Sequence, residues 1–174
     1  PATMQQILQD ACVQCGVTLD TTTPINGGYV VQAKPPDCTY QEVVRWCAEI
    51  AGGFAYCDHT GALVVKSYSR IVDEQVSGHY ELRRAERDVT VTGVKYETED
   101  EVLLASTDAY TVDVSDNGLI TSNPADAILL INNVISGLTW RPAASLKTVP
   151  LPHIWAGDLL DVIEGASSYR VLVT

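Results

Sequence analysis

The chain has 174 residues, 46% of them hydrophobic, which gives core enough for one sizeable domain or two small ones and excludes global disorder. Its 22 acidic and 11 basic residues leave a formal net charge of −11, so a phosphate backbone is repelled and specific nucleic-acid binding is disfavoured. The sequence holds no run of about eighteen apolar residues, so no membrane span is expected, and no signal peptide is visible.

Thr3 caps a first helix, predicted over Met4 to Cys15, with Met4, Ile7, Leu8, Ala11, Cys12 and Cys15 at helical spacing. Gly16 is its natural stop. Val17 to Leu19 reads as a short strand, Thr21 to Gly28 as turns, and Tyr29 to Val31 as a second strand. Thr39 and Glu42 then stand three apart in a capping-box pattern, the hydroxyl taking one orphan N–H and the carboxylate reaching back to another. Tyr40, Val43, Val44, Cys47, Ile50 and Ala51 form one apolar stripe behind that cap, and Gly52 and Gly53 end the helix. Phe54 to Tyr56 and Leu63 to Val65 flank the turn Asp58-His-Thr-Gly61, which predicts a hairpin. This helix-and-hairpin unit is expected to fold locally and to nucleate the first half.

Ser67 to Asp88 is charged and weakly periodic, and is expected to be a connection with one short strand. Val89 to Tyr96 alternates apolar and polar residues as a strand does, with Gly93 marking a bulge. Glu97 to Glu101 is an acidic turn, Val102 to Ala105 and Tyr110 to Val114 are strands, and Asp116-Asn-Gly118 is a turn. Asn123 and Pro124 precede a third helix, Ala125 to Ser136, with Ala127, Ile128, Ile131, Val134, Ile135 and Leu138 inward and Leu130 beside them. Leu146 to Val149 is extended. Leu159 to Ile163 and Tyr169 to Val173 pair as strands through Glu164 to Ser168. The fold class is therefore α+β: a helix-plus-hairpin portion at 2–68, a charged connection at 69–88, and a strand-rich portion at 89–174 carrying one helix. The chain opens at Pro1 and stops at Thr174 inside an apparent strand, so it is expected to be a piece of a longer protein.

No catalytic, cofactor-binding or metal-binding constellation emerges. The five cysteines, Cys12, Cys15, Cys38, Cys47 and Cys57, are odd in number, which argues against a closed disulfide framework and for a reducing compartment during synthesis. Cys12-x-x-Cys15 lies in the C-terminal half of a helix, where the dipole raises thiol pKa rather than lowering it; no second pair completes a zinc site, and a core role is expected. His59, His79 and His153 are scattered, and no nucleophile elbow is present. Glu97, Glu99, Asp100 and Glu101 lack the spacing of a calcium loop and read as a solvated hairpin tip. Gly52-Gly53 and Asn26-Gly-Gly28 lack the lysine and hydroxyl of a phosphate loop. Arg83, Arg84 and Arg87 are interleaved with Glu81, Glu86 and Asp88, a mixed-charge surface rather than a basic patch. Trp46, Trp140, Trp155, Tyr56 and Tyr110 show no platform spacing, and packing in a core or an interface is their default role.

The stretch from Thr39 to Val65 resembles a segment common in prophage tail proteins of Gram-positive bacteria, in which a Tyr- and Glu-bearing helix runs through an Ala-Gly-x-Phe-Ala sequence into a glycine-turned hairpin. Here Asp58-His-Thr-Gly61-Ala-Leu63 holds the hairpin position, with His59 and Thr60 in place of a more usual basic pair. Further pieces follow in order: Thr92-Gly-Val94, Ser122-Asn-Pro124, Leu138-Thr-Trp-Arg-Pro142 and Ala156-Gly-Asp158 leading into Leu159 to Val162. The family resembled is the tail-tip or baseplate hub of long-tailed phages, including the N-terminal hub part of tail-associated lysins. The resemblance implies a non-enzymatic structural role in the virion tail, made in the bacterial cytoplasm. It implies barrel-like β-domains around a channel with an inserted α/β portion, here residues 2–68, and assembly with itself, as a trimer by analogy, and with other tail proteins. From the residues themselves, no cofactor and no metal are expected. An acidic surface suits a tube through which DNA passes without sticking. Trp140 and Trp155 are the candidate interface, since tryptophan is enriched at interface centres. Two other readings remain: a carbohydrate-binding adhesin module at the tail tip, and a fragment of a cell-wall hydrolase.

Overall fold

The computed structural model describes residues 1–68, 71–99, 101–104 and 110–173. Four expectations touch residues outside that set: Asp100 in the acidic turn, Ala105 at a strand end, Thr174 at the last strand, and positions 69 and 70 of the charged connection. The protein is α+β and sheet-rich, with three helices among the described residues. Its sheets are small, and among the described residues none closes into a barrel.

The first helix begins where a strand ends. β1 (Ala2–Thr3) runs directly into α1 (Met4–Cys15). The Thr3 hydroxyl accepts from the Gln6 N–H at 3.2 Å, and the Gln6 side chain accepts from the Thr3 N–H at 2.9 Å, so two orphan donors are satisfied reciprocally. Met4, Leu8, Ala11 and Cys12 make the buried stripe, and Gly16 takes the left-handed conformation at φ 66°. The strand expected over Val17 to Leu19 shrinks to a single parallel bridge between Leu19 and Leu63. The Asp20 carboxylate accepts from the Thr22 N–H at 3.0 Å and turns the chain away before a ladder can extend. β2 (Val30–Val31) pairs antiparallel with β1.

α2 (Tyr40–Ile50) carries the second capping box: Glu42 N–H donates to the Thr39 hydroxyl at 3.2 Å, and Thr39 N–H donates to the Glu42 carboxylate at 2.8 Å. The buried face is Trp46, Cys47, Ala48 and Ile50. Tyr40, expected inward, is exposed, while Trp46 is buried. Trp46 packs on the backbone of Gly118, where a Cβ would come within 2.9 Å of the indole. β3 (Gly53–Cys57) and β4 (Leu63–Ser67) form the expected hairpin, in register from Gly53 with Ser67 to Cys57 with Leu63. The Asp58 carboxylate accepts from the N–H groups of Thr60 and Ala62 at 2.8 and 3.0 Å and pins the turn.

The charged connection carries more order than the one short strand expected. β5 (Glu74–Val76) and β6 (His79–Arg84) lie within it, and β7 (Val89–Thr90) follows. The strand expected over Val89 to Tyr96 breaks at Val91 and Thr92, and β8 (Gly93–Glu97) begins after the break. The reason is a change of partners: the Val91 N–H donates to Leu138 C=O at 2.9 Å, whereas the Thr92 N–H donates to Tyr110 C=O at 2.8 Å. β9 (Val102–Leu104) pairs antiparallel with β8, and β10 (Thr111–Asp113) pairs parallel with it. α3 (Pro124–Ile135) buries Ala127, Ile128, Ile131 and Ile135. β11 (Thr139–Trp140), β12 (Ala143–Thr148), β13 (Leu159–Glu164) and β14 (Ser167–Leu172) complete the chain.

These elements fall into two compact units that cut across the linear order. The first joins 1–67 to 92–136, and the second joins 68–91 to 137–174. The third helix thus belongs with the N-terminal helices rather than with the late strands. In the first unit α2 packs against α1, β3 and α3, and α3 packs against β8. Gly52, at φ 66°, lets α3 approach so closely that a Cβ there would meet Val134 at 2.7 Å. The Asn26 amide donates to Ile50 C=O at 2.8 Å and Leu130 C=O at 3.4 Å, covering carbonyls of two helices.

The second unit is built from β12–β6, β11–β7 and the sheet β14–β13–β5. β13 pairs antiparallel with β14 from Leu159 with Leu172 to Glu164 with Ser167, so the connecting turn is only Gly165 and Ala166, shorter than the sequence predicts. Val76, Leu160, Val162 and Val171 form the core of this unit, with Leu82, Leu146, Leu151, Ile154 and Val173 packed around them.

Candidate functional site

Strand alternation gives the β13–β14 hairpin two unlike faces. Leu160 pairs with Val171 and Val162 with Tyr169, and this face turns inward. The intervening pair, Asp161 with Arg170, lies on the opposite face with Ser168. A hollow of about 390 Å³ is lined here by Trp140, Asp161, Ser168, Tyr169 and Arg170, together with Asp88, Thr139 and Arg141. All belong to the second unit.

The neighbouring arginines are held around the ring of Tyr169, which shares the face of Val162. The guanidiniums of Arg84 and Arg141 lie over the Tyr169 ring, 4.0 and 4.7 Å from its centroid. Each is tethered by a carboxylate: Arg84 to Glu164 at 2.9 Å and Arg141 to Asp88 at 2.7 Å. The hydrogen bond from Arg84 to Glu164 pushes the guanidinium above its ordinary pKa. Arg141 also donates its backbone N–H to Arg170 C=O at 2.7 Å, which ties the segment after β11 to β14. Asp161 and Arg170 behave differently. They are cross-strand partners of opposite charge, yet among the described residues they form no ion pair with each other.

Trp140, one of the two expected interface residues, lines this hollow and is partly buried. Trp155 is not among its lining residues. It sits 37% exposed in the turn before β13, where its N–H donates to the Asp158 carboxylate at 2.7 Å and its C=O accepts from the Asp158 N–H at 3.1 Å. Asp158 is itself buried, at 5% exposure. The two tryptophans therefore stand on separate segments and serve different surroundings. Tyr169, Asp161 and Arg170 were not singled out by sequence; their signal is the alternation of charge and aliphatic residues along two strands, which becomes legible only once the register is known.

The remaining sequence candidates are dispersed. Cys12, Cys15 and Cys57 line a wholly apolar hollow of about 350 Å³ in the first unit, with Ala11, Val44 and Leu63. Burial, and then the neighbouring Cys15 and Cys57, push the Cys12 thiol up, opposite to what a nucleophilic thiolate needs. Burial pushes Cys47 up to about 12. His59 lies in the β3–β4 turn, His79 opposite Thr148 in the β6–β12 ladder, and His153 beside Glu74 at 3.1 Å. Among the described residues no group of three or more His, Cys, Asp or Glu is placed to hold a metal ion, and no helix is long and apolar enough to cross a membrane. Compared with known proteins, the chain matches no family model, no curated protein and no solved structure.

Proposed function

We propose that this chain is a structural, non-enzymatic domain of a prophage-encoded tail-tip or baseplate hub, acting in the virion tail through contacts with copies of itself and with other tail proteins. The observation that carries the reading is the ordered series of hub-like motifs from Thr39 to Val162. Its support is where those motifs fall. The Thr39 motif is the cap of α2, Asp58 to Gly61 is the hairpin turn, and Thr92-Gly-Val94 is the start of β8. Asn123 is the N-cap of α3, Leu138 to Pro142 frames β11, and Ala156-Gly-Asp158 precedes β13. Motifs placed at joints constrain a fold more than motifs scattered in strand interiors would. Small sheets whose outer strands are unpaired among the described residues also suit assembly by edge and face contacts.

Induction of the source prophage and mass spectrometry of purified particles test the reading. The chain should be present in virions in a small fixed copy number, and light scattering of the full-length protein should give a closed oligomer, three-fold by analogy. Absence from virions together with a monomeric full-length protein would overturn it. Turnover of cell-wall material by the chain itself would favour the hydrolase reading instead.

A further inference from the structure

We propose that the outer face of the β13–β14 hairpin is a saccharide site, taking one neutral pyranose ring in the hollow beside Trp140. The inference goes beyond the tail-hub reading and does not depend on it: a hub without a sugar site, or a sugar-binding protein absent from virions, are both coherent outcomes.

The hollow is lined by an aromatic residue, a carboxylate, a guanidinium and a hydroxyl, Trp140, Asp161, Arg170 and Ser168; the Thr139 hydroxyl beside them is already bonded to the Thr90 hydroxyl and to Gly137 C=O. At about 390 Å³ it falls in the small end of the range of ligand pockets. The polar inventory fits a ring bearing adjacent hydroxyls. A carboxylate accepts from a hydroxyl and a guanidinium donates to one, so a single diol satisfies both. Trp140 supplies an aromatic surface for the apolar C–H face of the ring.

The charges make the case more specific. Asp161 and Arg170 are direct cross-strand neighbours, and opposite charges so placed ordinarily pair. Here each lacks an ion-pair partner among the described residues. The other charged groups around the hollow are already committed. Arg141 is bound to Asp88 and lies over Tyr169. Arg84 is bound to Glu164. The hollow thus presents one cation and one anion with no net charge between them, which favours a neutral hydroxyl-rich ligand over an anion or a cation.

The test is an amide-resolved NMR titration of the whole 174-residue chain with methyl glycosides of glucose, galactose, mannose, rhamnose and N-acetylglucosamine, with glucuronate as an anionic control and choline as a cationic one. At least one neutral glycoside should shift the amides of Trp140, Asp161, Ser168 and Arg170 saturably. The double variant Asp161→Asn, Arg170→Gln should weaken that binding by about tenfold or more. Both positions lie on the outward side of the hairpin, and an unchanged far-UV spectrum and thermal midpoint would show that the variant is folded. If no neutral glycoside shifts these amides, if the shifts map elsewhere, if only a charged control binds, or if the folded double variant binds equally well, the proposal is overturned.

Discussion

At the scale of single residues, the first unit is pinned by one side chain. Asn117 is fully buried, and every polar atom of its amide is used. Its NH₂ donates to Trp46 C=O at 3.0 Å and to the Glu49 carboxylate at 2.9 Å, and its Oδ1 accepts from Leu119 N–H at 3.1 Å. Asn117→Ala strands three groups at once, and urea denaturation should show a loss of about 2–3 kcal/mol. The neighbouring Glu49 works in the opposite sense. Desolvation raises its pKa most, opposed by the Asn117 hydrogen bond, while Asp116 raises it and Arg45 lowers it. A carboxyl whose folded pKa exceeds its unfolded value costs stability once both states ionise, and costs nothing below the unfolded value of about 4.3. Glu49→Gln should therefore raise the melting temperature at neutral pH and change it little near pH 4; a larger gain in acid would refute the assignment. The thiols divide in the same way. Cys15 and Cys57 are exposed while Cys12 and Cys47 are buried, so a colourimetric thiol reagent should modify the first pair rapidly in the native protein and the second only after denaturation.

At the scale of elements, the local grammar of the chain is largely readable. The Thr3 cap, the Thr39 capping box, the stop at Gly16 and the turn at Asp58 arise from interactions within a few residues, so sequence alone exposes them, whereas the return contact from Gln6 to Thr3 goes unread. Removing the Thr39 hydroxyl by Thr39→Ala should cost about 1 kcal/mol in thermal or urea unfolding. Gly53 presents a harder constraint. A Cβ there would collide with the Lys66 carbonyl and come within 2.6 Å of the Ser67 Cα, both backbone atoms. Gly53→Ala should thus cost more than the cap does, about 1–3 kcal/mol or beyond, and hydrogen exchange should speed up across β3 and β4 in particular. What was illegible is whatever depends on a distant partner. Trp46 reads as off the apolar stripe of its helix, and is buried because the backbone of Gly118, far along the chain, leaves room for its ring. Val89 to Tyr96 reads as one strand, and is two because Val91 and Thr92 answer to different partners. The candidate site is of this second kind: Trp140 was visible as a residue, but Asp161 and Arg170 become neighbours only through the β13–β14 register.

At the scale of the molecule, the two units are woven through each other in sequence rather than strung end to end. Residues 92–136 leave the second unit and return to it, and the exit is closed by two hydrogen bonds, Val91 N–H to Leu138 C=O at 2.9 Å and Gly137 N–H to Val91 C=O at 2.8 Å. The linear reading of charge and periodicity places the boundary in the charged stretch 69–88 and has no means of seeing that the chain crosses back. Separate cores predict separate responses. Leu160→Ala, in the core of the second unit, should cost about 2–5 kcal/mol there, and native-state hydrogen exchange should show β13 and β14 losing protection while β8 keeps more of its own.

The crossing has a consequence for birth at the ribosome. β5 takes its place against β13 in parallel register, Val76 beside Val162. Its partner is therefore translated only after the whole excursion has emerged. At about 5–20 residues per second that is a wait of several seconds, during which the first unit gathers all its pieces while β5 and β6 stand unpaired. Nascent chains stalled once Ile135 has cleared the ribosome should accordingly hold a finished helical unit trailing an unfinished apron of strands, the interval in which a chaperone has most to shield.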